Sequence, residues 1–334
     1  MHLPVQIGHL YYQGHQNSYM LRYLHRLASS LILATVLWST PPACGRGQIS
    51  PPAVPITTVV TVLGPKYTPP PPVAKEDVLV YTGKTRLNVT GWVAAQGEKG
   101  RLQLAILIDN SVSPNLGTQF NDLRSFIKSQ PKNTAVGIFY AANGSVQTAS
   151  PFDTNHDAAA KKLRLPFGPR AGDSPSVYLS LSDLISSHWP SAGTRREVLM
   201  IASGVDRLNP GPSDPYFRAA VENVKKAGVV VYTMYAGGDR LGASFRGNIA
   251  QSNLEQITTE SGGKSFFEGV STPVAFAPFL SQLDMILRNQ YWLVFATARS
   301  TNEKGELRSI QIRTEQHNAI ISAPKEVFVP GPQK

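Results

Sequence analysis

The sequence has 334 residues, a formal net charge of +10 at pH 7 and a single cysteine. This length allows one or two domains with a sizeable core. The positive charges occur as short scattered pairs, such as Arg195-Arg196 and Lys225-Lys226, and not as a stripe interleaved with aromatic residues. The pattern argues against nucleic-acid binding, and one cysteine excludes an internal disulfide.

The N-terminal stretch has the order of a secretory signal peptide. Arg22 and Arg26 precede an apolar run over residues 27–38, and small residues follow at 40–45. The run is shorter than the ~20 residues that a membrane-spanning helix needs. We therefore predict an exported protein, in the periplasm, in the cell envelope or outside the cell, with no transmembrane helix in its mature chain.

Residues 1–45 are accordingly assigned to a leader and signal peptide, with two alternatives open. A polar stretch precedes Met20, which makes Met20 an alternative start. Cys44 lies just after the apolar run, so a lipid anchor on this cysteine is an alternative to plain cleavage.

The segments that flank the middle of the chain predict β structure. Residues 46–75 are rich in proline and predict an extended, semi-rigid linker. Residues 76–100 predict a β hairpin, and residues 291–334 a C-terminal β segment. The predicted strands of that last segment are residues 291–297, 307–313 and 326–329. The two flanking segments would then meet in one small β subdomain.

Strand and helix patterns alternate between these flanks. Residues 102–108 form an apolar run typical of a buried parallel strand, and the apolar residues that follow recur at helical spacing. Later runs that predict strands lie at residues 135–140, 197–203 and 228–235. The alternation predicts an α/β fold, a doubly wound, mostly parallel, Rossmann-like sheet with helices on both faces, plus small flanking β hairpins.

The loop directly behind the first of these strands carries Asp109, Ser111 and Ser113 in an Asp-x-Ser-x-Ser pattern. Open α/β sheets place their ligands at the carboxyl ends of strands. One carboxylate and two hydroxyls are hard oxygen donors, which suit Mg²⁺, Mn²⁺ or Ca²⁺ and not zinc or copper. The alternative is a turn in which these side chains only cap the following helix.

In a strand-to-helix turn that opens an α/β domain, this pattern resembles the metal-ion-dependent adhesion site of von Willebrand factor type A domains. The resemblance covers residues 101–290, which we assign to such a domain. It extends to a Gly262-Gly263 turn before a short strand at 264–268. The chain is most similar to the bacterial exported proteins called von Willebrand factor A-related.

The resemblance implies that three loops hold the metal. The second loop normally supplies a threonine, and here Ser174 is the first choice and Ser176 the alternative. The third loop normally reads Thr-Asp-Gly, but Ser203 stands in the position of the aspartate. Asp173 and Asp206 are close enough in sequence to compensate, although neither occupies the position that the family uses.

With Asp109 as the one remaining carboxylate, we expect Mg²⁺ or another divalent cation to bind weakly. The function implied is a non-enzymatic, adhesion-type module, in which the cation captures an acidic side chain of a protein partner. The alternative is a metal-free structural or scaffold protein of the cell envelope.

A serine hydrolase is a remote alternative. Gly172-Asp173-Ser174 resembles the start of the Gly-Asp-Ser-Leu esterase motif. A serine nucleophile needs a base beside it, and the histidines outside the leader, at 156, 188 and 317, are isolated in the sequence. We therefore predict that the chain is not an enzyme.

Overall fold

The computed structural model describes residues 53–168, 175–189, 194–209, 211, 213–237, 245–269 and 271–332. The predicted leader and signal peptide, with Met20 and Cys44, lie outside the described residues, as do Asp173 and Ser174. Among the helices of the described ranges, none combines the length and apolar character needed to cross a bilayer.

The elements alternate along the chain much as the sequence predicts. The strands are β1 (Ala53–Leu63), β2 (Val78–Thr82), β3 (Thr85–Ala94), β4 (Leu102–Asp109), β5 (Thr134–Ala142), β6 (Ser145–Asp153), β7 (Arg195–Ala202), β8 (Val230–Tyr235), β9 (Ser265–Phe266), β10 (Gln290–Ala298), β11 (Glu306–Ser309), β12 (Gln311–Thr314), β13 (Ile320–Ser322) and β14 (Glu326–Val329). The α-helices are α1 (Phe120–Lys128), α2 (His156–Lys161), α3 (Val177–Ser187), α4 (Pro215–Ala227), α5 (Phe245–Ser261) and α6 (Ala277–Arg288).

The central sheet has six strands in the order β6-β5-β4-β7-β8-β9. Its neighbours are parallel except for the antiparallel edge pair β5 and β6. Every residue of β4 and β8 is buried, as expected for strands covered on both faces. The predicted doubly wound, mostly parallel α/β sheet is therefore confirmed.

Helices cover both faces of this sheet because successive residues of each strand point to opposite sides. Leu104 and Ile106 of β4 join a core with α1, α2 and α6. Ala105 and Leu107 join a second core with α3, α4 and α5. Full burial of one such leucine or isoleucine contributes about 1.5–3 kcal/mol, so the alternation in β4 fixes which side each helix occupies.

The two flanking segments meet in a second, antiparallel sheet of order β12-β2-β3-β10-β1-β13, as expected. Trp92 of β3 stacks on Tyr291 of β10 with ring centroids 4.4 Å apart. The single strand predicted over residues 307–313 is wrong, because it divides at Ile310 into β11 and β12. Ile310 is buried and its N–H donates to Lys325 O, while β11 pairs with β14 and β12 with β2.

The expectation of an extended linker is wrong for Ala53–Leu63, which forms β1 and pairs with β10 along most of its length. The stretch is rich in valine, isoleucine and threonine, and these β-branched residues favour a pleated, half-buried strand. Pro55 lies where β1 is paired with β10, beyond the reach of β13, and such one-sided positions tolerate a residue without an N–H.

Candidate functional site

The first loop of the candidate site begins at Asp109, the last residue of β4. Asp109 is 2% exposed, and its Oδ1 accepts hydrogen bonds from the Ser111 N–H at 2.9 Å and from Ser111 Oγ at 2.7 Å. The Ser111 hydroxyl therefore donates a hydrogen bond to the carboxylate, and the lone pairs of its oxygen stay available to a ligand.

Ser113 is exposed and begins a 3₁₀ helix, Pro114–Gln119, that leads into α1. Its Oγ accepts a hydrogen bond from the Asn115 N–H at 3.3 Å. The capping role raised as the alternative to a metal site thus applies to Ser113. A hydroxyl oxygen has two lone pairs, so this cap leaves one of them for a ligand.

Ser203 reaches the same end of the sheet as Asp109. Strands β4 and β7 are parallel neighbours with Ile108 opposite Ile201, so the residue after β7 ends beside the residue that closes β4. The Ser203 backbone hydrogen-bonds to the Asp109 carboxyl. The side chain is 8% exposed, and its Oγ accepts from the Val205 N–H at 3.3 Å. The structure therefore brings Asp109 and Ser203 together at one end of the sheet.

The chain reverses its direction across the sheet between β4 and β7, which is the crevice where doubly wound sheets bind ligands. Counted from β4 as the first strand, the order is 3-2-1-4-5-6 with the third strand antiparallel. The Asp-x-Ser-x-Ser loop stands at this crevice. The domain has the von Willebrand factor type A fold.

Solved structures that this chain resembles include type A domains. Conserved hypothetical protein BatB from Bacteroides thetaiotaomicron is 14% identical, over 55% of this chain and 98% of that chain, with a TM-score of 0.38. A von Willebrand factor type A protein from Catenulispora acidiphila is 7% identical, over 85% and 75%, with a TM-score of 0.43. Proximal thread matrix protein 1 from the mussel byssus, with a zinc-occupied MIDAS motif, is 13% identical, over 62% and 48%, with a TM-score of 0.42.

No protein-family model matches the sequence. A curated relative described as a ferrochelatase, from Polaromonas sp. (strain JS666 / ATCC BAA-500), is 25% identical over 186 residues, or 54% of this chain. The chain spans about half the length of that relative, 48%.

The second loop of the type A domain is described only in part, because Ser174 lies outside the described residues. Ser176, the alternative, is 1% exposed, and its Oγ donates a hydrogen bond to Asp206 Oδ2 at 2.5 Å. The same Oγ accepts from the Leu179 N–H at 3.2 Å and so caps α3. The structure therefore brings Ser176 to Asp206, and Ser174 stays the predicted ligand from this loop.

Asp206, on the loop after β7, is 4% exposed. Its Oδ1 accepts hydrogen bonds from the N–H groups of Leu208 at 2.8 Å and Asn209 at 3.2 Å. Together with Ser176 on Oδ2, these bonds fold the third loop back onto the start of α3. The Asp206 carboxyl thus holds together two loops at the carboxyl end of the central sheet.

Asp214 is a buried carboxyl that the sequence reasoning misses. It caps α4, with Oδ1 accepting from the N–H groups of Tyr216 at 2.8 Å and Phe217 at 3.2 Å. Its side chain also contacts that of Asp206. The signal in the sequence is Asp214-Pro215, since an acidic cap followed by proline often begins a helix.

Burial raises the pKa of Asp109 above its ordinary value. The hydrogen bonds from Ser111 and Ser203 and the positive charge of Arg207 lower the pKa again in part. A buried carboxylate is costly to ionise, so an added cation would stabilise the charged form of Asp109. Within the described ranges, no group of three or more His, Cys, Asp or Glu side chains is placed to hold a metal. A site here would depend on one carboxylate and several hydroxyls.

Tyr178 of α3 stands among the carboxyls of this end of the sheet. Its hydroxyl donates to Gly204 O at 2.8 Å. Burial raises the pKa of Tyr178 well above its usual value, and the negative charges of Asp214, Asp206 and Asp109 raise it further. The negative charges of these three carboxyls therefore all raise the pKa of one buried phenol.

Several of the eight large exposed apolar side chains in the described part of the chain lie on segments that lead to or from the candidate site. Leu208, Phe245 and Val274 follow β7, β8 and β9, and Leu165 and Phe167 follow α2. We call this set the loop-face ring; its members are Leu165, Phe167, Leu208, Phe245 and Val274. The Phe167 N–H donates to Asn110 Oδ1 at 3.2 Å, which holds one member beside the Asp109 loop.

Proposed function

We propose that the type A domain is a non-enzymatic binding module that captures an acidic side chain of a protein partner at this loop face. The observation that carries the proposal is that Asp109, Ser111 and Ser203 meet at the crevice between β4 and β7, with Phe167 of the loop-face ring held beside the Asp109 loop. Exposed apolar patches rimmed by polar groups are typical of protein interaction sites. The ring would pack against apolar residues that flank the acidic side chain of the partner.

A divalent cation fits this donor set. Asp109, Ser111, Ser113 and Ser203 would hold it, with Ser174 from the second loop, and all of them offer hard oxygen atoms. When bound, the cation supplies a coordination position for a carboxylate oxygen of the partner. Asp109 neutralises one of the two positive charges, and the bond from Ser111 Oγ to Asp109 Oδ1 orients the serine oxygen. One carboxylate predicts weak binding.

The metal-free alternative has its own support. Ser203 stands where the family has an aspartate, and the positive charge of Arg207 acts on Asp109. A partner carboxylate would then be attracted by Arg207 and by the serine hydroxyls. The dependence of binding on divalent cation separates the two forms of the proposal.

Among the described residues, little supports the alternative that the protein is a serine hydrolase. The Asp-x-x-His spacing occurs at Asp153 and His156, but His156 lies at the opposite end of the sheet. Its Nε2 is 2.7 Å from the O atom of Thr134, the first residue of β5. A base must lie within hydrogen-bond reach of its nucleophile, so this histidine cannot serve the loop face.

We also propose that the domain works outside the cytoplasm, because arginines, an apolar run and small residues follow one another before Cys44. N-terminal sequencing of the protein from its native host tests this. A mature form that begins near Ala43 to Gly45 supports cleavage, whereas one that begins at Met1 or Met20 overturns it.

Selection from a displayed peptide library tests the binding proposal. The full chain, immobilised in Mg²⁺, should enrich peptides with an Asp or Glu flanked by apolar residues. Asp109→Ala and Phe167→Ser should each abolish that enrichment. Asp157→Ala is the matched control, because Asp157 is exposed and pairs with Lys128. Equal enrichment with wild type and Asp109→Ala would overturn the site, and enrichment that persists in chelator would favour the metal-free form.

A further inference from the structure

Two buried carboxyls, Asp206 and Asp214, form a second acidic centre beside the candidate site. They are 4% and 3% exposed. Their side chains are in contact, although one belongs to the loop after β7 and the other to the start of α4. Neighbouring carboxylates repel each other, and a cation between them would relieve that repulsion.

The oxygen atoms of this pair are not equally satisfied. Both oxygens of Asp206 accept hydrogen bonds from Ser176, Leu208 and Asn209. Asp214 Oδ1 accepts two from the backbone of α4. Asp214 Oδ2 is buried and has no hydrogen-bond partner. Buried polar atoms without a partner are rare in folded proteins, and an ion is one of the usual reasons for them.

A small cavity is lined by both carboxyl residues. Its volume is about 10 Å³, which is about the room that one water molecule or one ion occupies. Asp206, Asp214, Asn209 and Asn253 line it, together with Gly204, just after β7, and the exposed Arg246. Carboxylate, amide and carbonyl oxygens are the ligands that Ca²⁺ and Mg²⁺ take in proteins.

We propose that this cavity is a binding site for one divalent cation, Ca²⁺ or Mg²⁺, held by Asp206 and Asp214. The site is separate from the one at Asp109 and does not depend on it. The cation ties the loop after β7 to the start of α4. Through the hydrogen bond from Ser176 to Asp206, it also fixes the start of α3. Two of the three loops of the face are thereby held in place.

Terbium luminescence tests the proposal, because Tb³⁺ takes the same oxygen ligands and is excited through a nearby tyrosine such as Tyr178. The full chain is compared with Asp214→Asn and Asp109→Asn. Asparagine caps a helix as well as aspartate does, so Asp214→Asn keeps the start of α4 and removes only the charge. Far-ultraviolet circular dichroism verifies that each variant is folded.

We expect Asp109→Asn to keep a tyrosine-sensitised Tb³⁺ signal that Ca²⁺ or Mg²⁺ displaces. Asp214→Asn should weaken that component at least tenfold. Equal Tb³⁺ affinity in wild type and Asp214→Asn overturns the proposal, as does loss of all binding in Asp109→Asn. In that last case the cation site at Asp109 stands alone, so failure here is distinct from failure of the binding module.

Discussion

Gln290 donates a hydrogen bond from Nε2 to Glu197 Oε2 at 3.3 Å, where the antiparallel sheet meets the central sheet. The same Nε2 is 3.0 Å from Tyr232 Oη, and Gln290 Oε1 accepts from Arg195 Nη1. Arg195 also donates to Gly100 O at 2.7 Å. All four side chains of this network are almost completely buried.

The network explains how a charged pair is kept inside the junction of the two sheets. Arg195 Nη1 lies 3.7 Å from Glu197 Oε1, and both side chains are removed from water. Buried charges are tolerated only when further hydrogen bonds satisfy them. Gln290, the first residue of β10, supplies some of those bonds from the antiparallel sheet, while Arg195 Nε and Glu197 Oε1 have no hydrogen-bond partner. The two sheets are thus held together by polar contacts as well as by packing.

Gln290→Leu should destabilise the chain by about 2–4 kcal/mol, because the change leaves Glu197, Tyr232 and Arg195 each short of a buried partner. The free energy of unfolding is measured by urea denaturation. Gln311→Leu is the matched control, since Gln311 is exposed on β12, and it should change stability by less than about 0.5 kcal/mol. Equal losses in the two variants would contradict a special role for the network.

The pH dependence of stability should carry the signature of Glu197. Burial raises its pKa above the ordinary value of 4.5, and Arg195, Gln290 and Tyr232 lower it only in part. The folded chain thus holds the proton more tightly than the unfolded chain. The stabilisation from this group is complete below pH 4.5 and is lost as pH rises through the raised pKa.

Comparison with Glu197→Gln isolates this effect. The stability of wild type minus that of Glu197→Gln should decrease as the pH is raised from about 4 to about 8. Urea denaturation at a series of pH values measures the difference. A difference that stays constant, or that grows with pH, would show that the pKa of Glu197 is not raised in the folded chain.

The central sheet could be predicted from the sequence because β4, β7 and β8 are apolar runs, and parallel strands align their carboxyl ends. That rule places Asp109 and Ser203 at the same edge of the sheet. Because the residues on both faces of β4 are buried, the strand must be covered by helices on both sides of the sheet. The part of the fold that the sequence predicts well is therefore the part that the residue pattern within single strands determines.

The parts that sequence reasoning misses depend on contacts between distant segments. The proline content of residues 46–75 predicts a linker, whereas β1 forms because β10 offers it a partner along most of its length. The hydrogen bond from Ser176 to Asp206 joins residues 30 positions apart, and α3 packs on α4 with the Tyr178 and Phe217 rings 5.0 Å apart. No spacing in the sequence encodes that packing.

Asp109→Asn should raise the melting temperature in the presence of chelator. Burial raises the pKa of Asp109 above 3.8, so the ionised carboxylate costs stability at neutral pH, about 1.4 kcal/mol for each pKa unit. Asparagine keeps the Oδ1 acceptor for Ser111 and carries no charge. The gain should vanish at a pH below 3.8. Asp157→Asn, at an exposed position, should change little. A lower melting temperature for Asp109→Asn at neutral pH would show that the ionised Asp109 carboxylate does not cost stability in the folded chain.

Ser203→Asp should restore a second carboxylate at the third loop and tighten binding of Mg²⁺ or Mn²⁺ by at least ~1 kcal/mol. Without cation the same change should destabilise the chain, because Ser203 is 8% exposed and adjoins the buried Asp109. Calorimetry measures binding, and thermal unfolding in chelator measures stability. Ser309→Asp is the control, since Ser309 is exposed on β11.

Opposite effects with and without cation are what a metal site at Asp109 requires, because the cation compensates the repulsion that the second carboxylate introduces. Wild type should bind weakly and Asp109→Ala not at all. If Ser203→Asp gains nothing while wild type already binds tightly, Ser203 lies outside the coordination shell. If Ser203→Asp destabilises the chain and no variant binds cation, the loop is a remnant of a metal site. Partner capture must then proceed through Arg207 and the serine hydroxyls.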